Sequence, residues 1–433
     1  MPSDNSPGDN FGATVSISDD YAIVGANDDD DNGKDTGSAY IFKRDGNTWI
    51  EQMKLLASDG TNNDYFGWAV SISGDYAIVG GLNLDSAYIF KRDGETWIEQ
   101  SKLLASDGAD YDQFGWAVSI FGDYAIVGAH GNDDNGSRSG SAYIFKREGE
   151  SYVEQTKLLP SDGAEGDCFG FSVSISGQYA IVGAPRDYQS DSNGYSYIFK
   201  KEGDIWLEQA KLLPSDGTEW DCFGESVSIS RDYAIVGARG DDDKGEGSGS
   251  AYIFKRDGEN WIEQVKLLDS GSIDRVYCYF GASVSILGDY AIVGAWQNDG
   301  DGNVKNSGAA YIFKREGNTW TEKKKLLASD GSNGDNFGYS VFISGDHAIV
   351  GARNDYDSGG SAYIYTIEKS DILIPGDANC NGIVEIKDLL SSQQVLIGDT
   401  PSPFNFKAVD FDANGKLDVG DQVKLLMMIS EKK

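Results

Sequence analysis

The sequence predicts an all-β fold, a seven-bladed propeller, followed by a small α-helical domain. Three observations support this prediction: one unit recurs seven times, each unit contains strand-like segments, and two short Asp/Asn/Gly-rich loop patterns lie near the C-terminus. A chain of 433 residues is also too long for one ordinary core, which favours two domains. The predicted boundaries are 1–374 for the propeller and 376–430 for the second domain.

A Phe-Gly pair opens each repeat. The pair recurs at roughly fifty-residue intervals, a period typical of propellers and solenoids. Its seven copies are Phe11, Phe66, Phe114, Phe169, Phe223, Phe280 and Phe337.

Four strand-like segments follow in each complete unit, in the first copy FGATVSIS, YAIVGA, SAYIF and WIEQMKLL. The second and third are apolar on both faces, which predicts strands buried between neighbouring blades. Glu51, Gln52 and Lys54 interrupt the fourth, as expected of an outer edge strand. Gly and Ser in the first suit the crowded central axis.

The connections between these segments differ in length and composition. Tight turns such as Gly74-Asp75 join the first and second segments, and Asp45-Gly46 joins the third and fourth. The other two connections are mostly longer, acidic and variable. Because alternate connections of an up-and-down sheet lie at the same end, we expect the long loops on one side of the ring, as a binding face.

The Phe-Gly, YAIVGA and AYIF segments resemble the FG-GAP repeat of integrin alpha chains, and the SDG loops resemble FG-GAP-like repeats of microbial extracellular proteins. Integrin-type repeats carry a calcium loop between their first two strands, where this chain has only a tight turn such as SGDY. The calcium ligands of integrin-type repeats therefore cannot be assigned to these turns. Two loops after IVGA offer other oxygen ligands, although solvated turns have the same composition: Asp28, Asp30 and Asn32, and Asn298, Asp299 and Asp301.

The seventh unit ends without a W-x-E-Q segment. Residues 1–4 align with Leu56–Asp59, so the chain begins where a fourth strand would end. An upstream strand and signal peptide absent from this chain would explain both facts. Alternatively, Asp371–Ile374 forms a short fourth strand, or another molecule supplies one.

Two C-terminal loops have the spacing of an EF-hand, in which oxygen ligands surround Ca²⁺ and a glycine allows the sharp turn. Gly382 and Gly415 occupy the turn position, and an amphipathic helix is predicted after each loop, near 389–397 and 423–429. The predicted ligands of two calcium ions are Asp377, Asn379, Asn381, Ile383 (carbonyl), Glu385 and Asp388, then Asp410, Asp412, Asn414, Lys416 (carbonyl), Asp418 and Asp421.

Residues 376–430 resemble a type I dockerin, which implies calcium-dependent binding to a cohesin module. The resemblance places partner recognition at Ile386, Lys387, Val419 and Gly420. The two pairs differ, which argues against a symmetric two-way binding mode. A calcium-stabilised tail docked on its own propeller, or on a surface partner other than a cohesin, is the alternative.

Composition excludes some classes. Asp and Glu total 70 against 36 Lys and Arg, and no basic stripe for nucleic acid is present. No apolar run could span a membrane, and no signal peptide is visible. Cys168, Cys222, Cys278 and Cys380 match no zinc or redox motif, and buried thiols are favoured over a Cys168–Cys222 disulfide.

Catalysis has little support in the sequence. Only two histidines occur: His347 replaces a repeat tyrosine, and His130 has no evident Ser or Cys partner. Trp220, Trp296 and Tyr356 fall in loops and could stack on sugars. A polysaccharide-acting enzyme stays an alternative because so many carboxylates are present.

These features predict a non-catalytic, extracellular binding or adhesion module. Its propeller would present a face to a glycan or protein, and its calcium-loaded tail would dock to a cohesin or surface scaffold. The main alternative is a structural subunit that assembles with itself into a polymer or surface layer.

Overall fold

The computed structural model describes residues 2–185, 193–271, 277–299, 305–354 and 359–367. These residues form 27 strands in seven antiparallel sheets. The seven sheets follow one another along the chain and form the blades of a propeller. The predicted all-β seven-bladed fold is therefore confirmed.

Blades one to four each contain four strands paired in sequence order. The first strand begins at the phenylalanine of Phe-Gly in blades one and two, and three residues after it in blades three and four. Their bounds are β1 Phe11–Ser18, β2 Tyr21–Ala26, β3 Ser38–Asp45, β4 Thr48–Leu55; β5 Phe66–Ser73, β6 Tyr76–Gly81, β7 Ala87–Asp93, β8 Thr96–Leu103; β9 Ala117–Phe121, β10 Tyr124–Ala129, β11 Ser141–Glu148, β12 Ser151–Leu158; β13 Ser172–Ser176, β14 Tyr179–Ala184, β15 Tyr195–Glu202, β16 Ile205–Leu212.

Blades five and six repeat this order, whereas blade seven has three strands among the described residues. The bounds are β17 Phe223–Ser230, β18 Tyr233–Ala238, β19 Ser250–Asp257, β20 Asn260–Leu267; β21 Ser283–Leu287, β22 Tyr290–Ala295, β23 Ala309–Glu316, β24 Thr319–Leu326; β25 Phe337–Ser344, β26 His347–Ala352, β27 Ser361–Thr366. The fourth-strand segment proposed at 371–374 lies outside the described residues.

The glycines of each repeat are explained by close contact between blades. Gly67 has φ +91°, and a methyl group there would lie 2.1 Å from the carbonyl oxygen of Ser38 in the preceding blade. At Gly25 a methyl group would lie 2.0 Å from the carbonyl oxygen of Gly67. Only glycine tolerates both the backbone conformation and the separation. The Phe-Gly pair and the glycine of YAIVGA are therefore two sides of one contact.

Aromatic side chains fill the space between blades. Phe66 is 1% exposed and packs edge-to-face on Tyr88, with ring centroids 5.6 Å apart. The same hydrophobic cluster contains Ile41 and Leu55 of blade one. The Trp97 side chain also belongs to it, and its Nε1 donates a hydrogen bond of 3.2 Å to Gln52 Oε1 across the interface. Equivalent contacts recur around the ring.

The first and seventh blades are also in contact. Ser340 Oγ donates a hydrogen bond of 2.9 Å to the Gly12 carbonyl, as Ser172 Oγ does to Gly224 between blades four and five. A cavity of about 220 Å³ lies at this junction, lined by residues that include Phe11, Trp49 and Ile364. Trp49 is only partly buried, whereas its equivalent Trp97 is 2% exposed.

Residues 3 and 4 occupy the position predicted from their alignment with Ser58 and Asp59. The Ser3 amide donates to Glu51 Oε2 at 2.6 Å, and the Ser58 amide donates to Glu99 Oε2 at 3.0 Å. The segment after each fourth strand is thus fixed to the fourth strand of the following blade. The N-terminal segment makes that contact for blade one.

By compactness the chain divides into two units. One contains residues 1–343 and 348–365, and the other contains residues 344–347 and 366–433, most of which lie outside the described ranges. Within the described ranges no helix has the length and apolarity needed to cross a membrane. The described cysteines Cys168, Cys222 and Cys278 form no disulfide, as the composition favoured.

Candidate binding site at the channel mouth

Two positions in every repeat lie at the loop end of the innermost strands. One is the residue after Phe-Gly, and the other is the first residue after the second strand. The first position directly follows a glycine that is fixed by packing, and the second lies two residues after one. The side chains at both positions nevertheless differ from blade to blade. In chain order they are Ala13, Asn27, Trp68, Leu82, Trp116, His130, Phe171, Pro185, Glu225, Arg239, Ala282, Trp296, Tyr339 and Arg353. We call this ring of side chains the channel mouth.

One part of the channel mouth is apolar, and we call Trp68, Trp116, His130 and Phe171 the aromatic arc. The Trp116 ring centroid lies 4.9 Å from Trp68, 5.3 Å from Phe171 and 4.3 Å from His130. Trp68, Trp116 and Phe171 are only partly buried. The arc therefore presents a continuous apolar surface that remains open to contact.

Cationic and aromatic groups alternate in another part, which contains Arg239, Trp296, Tyr339 and Arg353. Tyr279, the residue before Phe280, lies outside the ring defined above but contacts both Arg239 and Trp296. We call these five residues the arginine arc. The Arg353 guanidinium lies 3.8 Å from the Tyr339 ring centroid, and its Nη1 donates to the Tyr339 hydroxyl at 2.6 Å. Arg353 Nε is buried and has no hydrogen bond to any described residue. Cation–π stacking thus orients a guanidinium whose donors are incompletely used.

Arg239 differs because it is already paired. Its Nε lies 2.6 Å from Glu225 Oε2, and its guanidinium is 5.6 Å from the Tyr279 ring centroid. Burial raises the pKa of Glu225 to about 7, although the positive charge of Arg239 opposes the shift. The Glu225 carboxyl of this pair thus titrates near neutral pH.

Asp28 is the acidic neighbour of Arg353. Its carboxylate accepts a hydrogen bond of 2.6 Å from Asn10 Nδ2 and another from Asn27. Burial, and then the charge of Asp35, raise its pKa to about 6, while Arg353 lowers it. The Asp28 carboxyl therefore keeps its proton to a higher pH than an ordinary aspartate does.

His130 is a buried member of the aromatic arc and not an exposed catalytic base. It is 2% exposed, and its Nδ1 has no hydrogen-bond partner among the described residues. Burial, with a smaller contribution from Arg138, lowers its pKa to about 3. His347 is also buried, as predicted for a core position, and its Nδ1 lies 2.8 Å from Asp346 Oδ1.

Lysines neutralise part of the acidic loop face. Lys54 Nζ lies 2.8 Å from Asp29 Oδ2, 2.7 Å from Asp31 Oδ2 and 3.0 Å from Asp4 Oδ2. Burial alone would lower the pKa of Lys54, but hydrogen bonds to these carboxylates and to Tyr40 outweigh it and raise the pKa. A side-chain ammonium thus occupies the centre of a three-carboxylate cluster.

The same arrangement recurs in blade five. Lys266 Nζ lies 2.9 Å from Asp216, 2.7 Å from Asp241 and 2.7 Å from Asp243. Within the described ranges no three or more His, Cys, Asp or Glu side chains are arranged to hold a metal ion. Of the two loop sets predicted as metal ligands, Asp30 Oδ1 accepts the Asp35 amide, and Asp301 lies outside the described residues.

The predicted C-terminal sites cannot be placed, because the described ranges end at residue 367. All calcium ligands between Asp377 and Asp421 lie beyond them, as do the partner positions Ile386, Lys387, Val419 and Gly420. Of the loop aromatics, Trp296 belongs to the arginine arc, and Tyr356 lies outside the described residues. Trp220 is 48% exposed, and its backbone lies beside Gly240, the residue after Arg239.

The sequence patterns do not single out most of the channel mouth. Trp68, Trp116, Phe171 and Tyr339 directly follow Phe-Gly in the first strand-like segment and belong to no motif of their own. The available signal was their variation: the residue after Phe-Gly is Ala, Trp, Trp, Phe, Glu, Ala and Tyr in the seven copies. A changing residue beside an invariant glycine indicates a position that packing does not fix.

Solved structures similar to this chain share its fold. They include hydrazine synthase from Kuenenia stuttgartiensis (10% identity, 85% of this chain and 98% of that one, TM-score 0.56) and U3-55K (11%, 84% and 96%, 0.54). The WD40 repeats of RRP9 are also similar (11%, 85% and 96%, 0.52). At these identities the likeness concerns the fold alone. A search of curated proteins finds no significant match.

The family profile described as FG-GAP repeat matches the chain seven times. The matched segments are 1–42, 49–90, 97–145, 152–199, 206–254, 261–313 and 320–365. Each segment contains one Phe-Gly pair and the first two strands of a blade, and it ends within the third strand. Every segment after the first begins at the second residue of the preceding fourth strand. The chain therefore belongs to the FG-GAP repeat family.

Proposed function

We propose that this protein is a non-catalytic, extracellular binding module that recognises its ligand at the channel mouth. A single observation carries the proposal. Positions that packing leaves variable hold partly exposed aromatic and arginine side chains at one end of the channel. Such residues dominate binding energy at recognition sites. A rigid propeller that carries variable side chains on one side also suits binding or adhesion.

Arrayed glycans and peptides, probed with the full chain, test this proposal. Trp116→Ala removes the centre of the aromatic arc and should abolish at least about nine-tenths of the binding. Phe121→Ala is the matched control, because Phe121 is 43% exposed at the tight-turn end of β9, opposite the loop end. Equal loss in both variants, or ligand binding that neither changes, would place recognition elsewhere.

The second part of the proposal concerns residues 376–430. We propose that they bind two Ca²⁺ ions and dock to a cohesin or a surface scaffold. Two loops with every oxygen-ligand position filled, and a glycine at each turn, support this part. Calcium titration should give two sites in the full chain and one in the variant Asp377→Ala. Two remaining sites, or none in either protein, would contradict it.

Light scattering with and without millimolar Ca²⁺ separates docking in trans from self-assembly. A monomer under both conditions, with a cohesin bound only when calcium is present, is the expected result. Growth into large species upon calcium addition would instead favour the structural-subunit alternative.

One observation favours a second candidate, a polysaccharide-cleaving enzyme. Glu225 lies at the channel mouth beside Arg239, and its pKa of about 7 suits proton transfer at neutral pH. Prolonged incubation with any ligand found above tests this candidate. Product formation that Glu225→Gln abolishes would establish it, and an unchanged ligand would exclude cleavage of that ligand.

A further inference from the structure

The inner edges of the first strands are already hydrogen-bonded around the channel. The Ile72 amide donates to Ser16 Oγ of the preceding blade at 3.2 Å. The same bond joins Ile120 to Ser71, Ile175 to Ser119, Ile229 to Ser174, Ile286 to Ser228 and Ile343 to Ser285. One amide of each of these first strands is thus occupied, four residues along the strand from the residue after Phe-Gly and toward the tight-turn end.

At the channel mouth the groups that differ from blade to blade, and so could select a ligand, are side chains. The aromatic arc offers an apolar surface, in which the Trp116 ring lies between Trp68 and Phe171. Sugar rings carry C–H groups on their faces. Such faces pack on partly exposed aromatic rings because both surfaces are then removed from water.

The arginine arc adds a requirement for negative charge. The planar Arg353 guanidinium is stacked 3.8 Å from the Tyr339 ring centroid, and its side chain is partly exposed. An oriented guanidinium binds a carboxylate through paired, charge-assisted hydrogen bonds. Because the net charge of −34 repels anions at long range, binding of an anionic group depends on this local contact.

Resting on the function proposed above, we propose that the channel mouth binds an acidic saccharide, with a sugar face on the aromatic arc and its carboxylate on Arg353. Two acidic residues nearby do not prevent this. Glu225 is paired with Arg239, and Asp28 accepts hydrogen bonds from Asn10 and Asn27. With a pKa of about 7, Glu225 is also partly neutral near neutral pH, whereas Asp28, with a pKa of about 6, is mostly charged.

Calorimetric titration with a matched pair of ligands tests the inference. The probes are an oligogalacturonate and its methyl ester, which share a sugar backbone and differ in charge. Wild-type protein should bind the acid at least about tenfold more tightly than the ester, the effect of one charge-assisted contact. Arg353→Gln should remove this preference, and Arg353→Lys should retain part of it. Trp116→Ala should weaken binding of both probes.

Two control variants keep the test interpretable. Arg92→Gln alters an arginine on the turn side that is paired with Asp75, and Phe121→Ala alters an exposed aromatic at the tight-turn end of β9. Both should bind like the wild type. Tryptophan fluorescence during urea unfolding checks that every variant is folded.

The possible failures are distinct. Equal binding of acid and ester would overturn the carboxylate assignment while leaving a saccharide site. Binding of arrayed peptides at the channel mouth, without either saccharide, would overturn the ligand class and leave the proposed binding function. No ligand from either array would overturn both proposals.

Discussion

Gly67 and Trp68 are neighbours in the sequence but belong to two different regions of the molecule. Gly67 lies in a blade interface, where the Ser38 carbonyl leaves no room for a side chain. Trp68 lies at the channel mouth, where it contacts Trp116 and stays partly exposed. The interfaces repeat the same residues in blade after blade, and the channel mouth does not. A repeat protein can thus keep its architecture constant while varying one ring of side chains.

The largest expected contrast is between a tryptophan in an interface and one at the channel mouth. Trp97 is 2% exposed and bonded to Gln52, so Trp97→Ala should lower the free energy of unfolding by about 4 kcal/mol. Trp68→Ala should cost only about 1 kcal/mol because its ring is already partly exposed. Urea unfolding followed by fluorescence measures both, since the remaining tryptophans also lie in the propeller. Equal costs would remove the distinction between the two regions.

Glycine substitutions should separate close contact from backbone conformation. Gly67→Ala places a methyl group 2.1 Å from a carbonyl oxygen at φ +91°, and about 3 kcal/mol of destabilisation is expected. Gly74→Ala is the matched control, because its φ is +59° and no atom lies within 4 Å. That change should cost about 1 kcal/mol. A Gly67→Ala protein as stable as the control would show that the blades can separate to accept a side chain.

His130 tests whether the channel mouth also contributes to stability. Its pKa is lowered to about 3 in the folded protein from an ordinary value of 6.5. Its contribution is therefore complete above pH 6.5 and is lost as the pH falls, by about 1.4 kcal/mol per unit. Between pH 6.5 and pH 5 the wild type should lose about 2 kcal/mol more than His130→Phe. Parallel pH profiles for the two proteins would contradict this burial of a neutral histidine.

The smallest effect concerns the lysines of the loop face. Lys54 neutralises three carboxylates, whereas Lys102 in the next blade is paired with Asp59 alone. Lys54→Met should lower the free energy of unfolding by about 2 kcal/mol because clustered carboxylates lose their counter-ion. Lys102→Met should cost at most about 1 kcal/mol. Thermal unfolding at low and high salt measures both, and the difference should shrink with salt. Equal losses would mean that the cluster adds nothing beyond one ion pair.

The sequence alone predicted the propeller, its seven repeats, the order of strands within a blade and the side on which the long loops lie. These features depend on signals that can be read directly along the sequence, namely apolar alternation, turn glycines and a fifty-residue period. The alignment of Ser3 with Ser58 is also reflected in the structure, since both amides donate to a glutamate of a fourth strand. The calcium loops and the dockerin-like docking positions remain predictions of the sequence.

Only the tertiary structure decided which side chains form the channel mouth. Trp68, Phe171 and Arg353 are far apart in sequence, and closing seven blades into one ring brings their positions to the same end of the channel. It also decided that Lys54 lies among Asp4, Asp29 and Asp31, which were not among the predicted metal ligands of that loop. The physical reason is that packing within a blade depends on residues near in sequence, whereas a site between blades depends on ring closure.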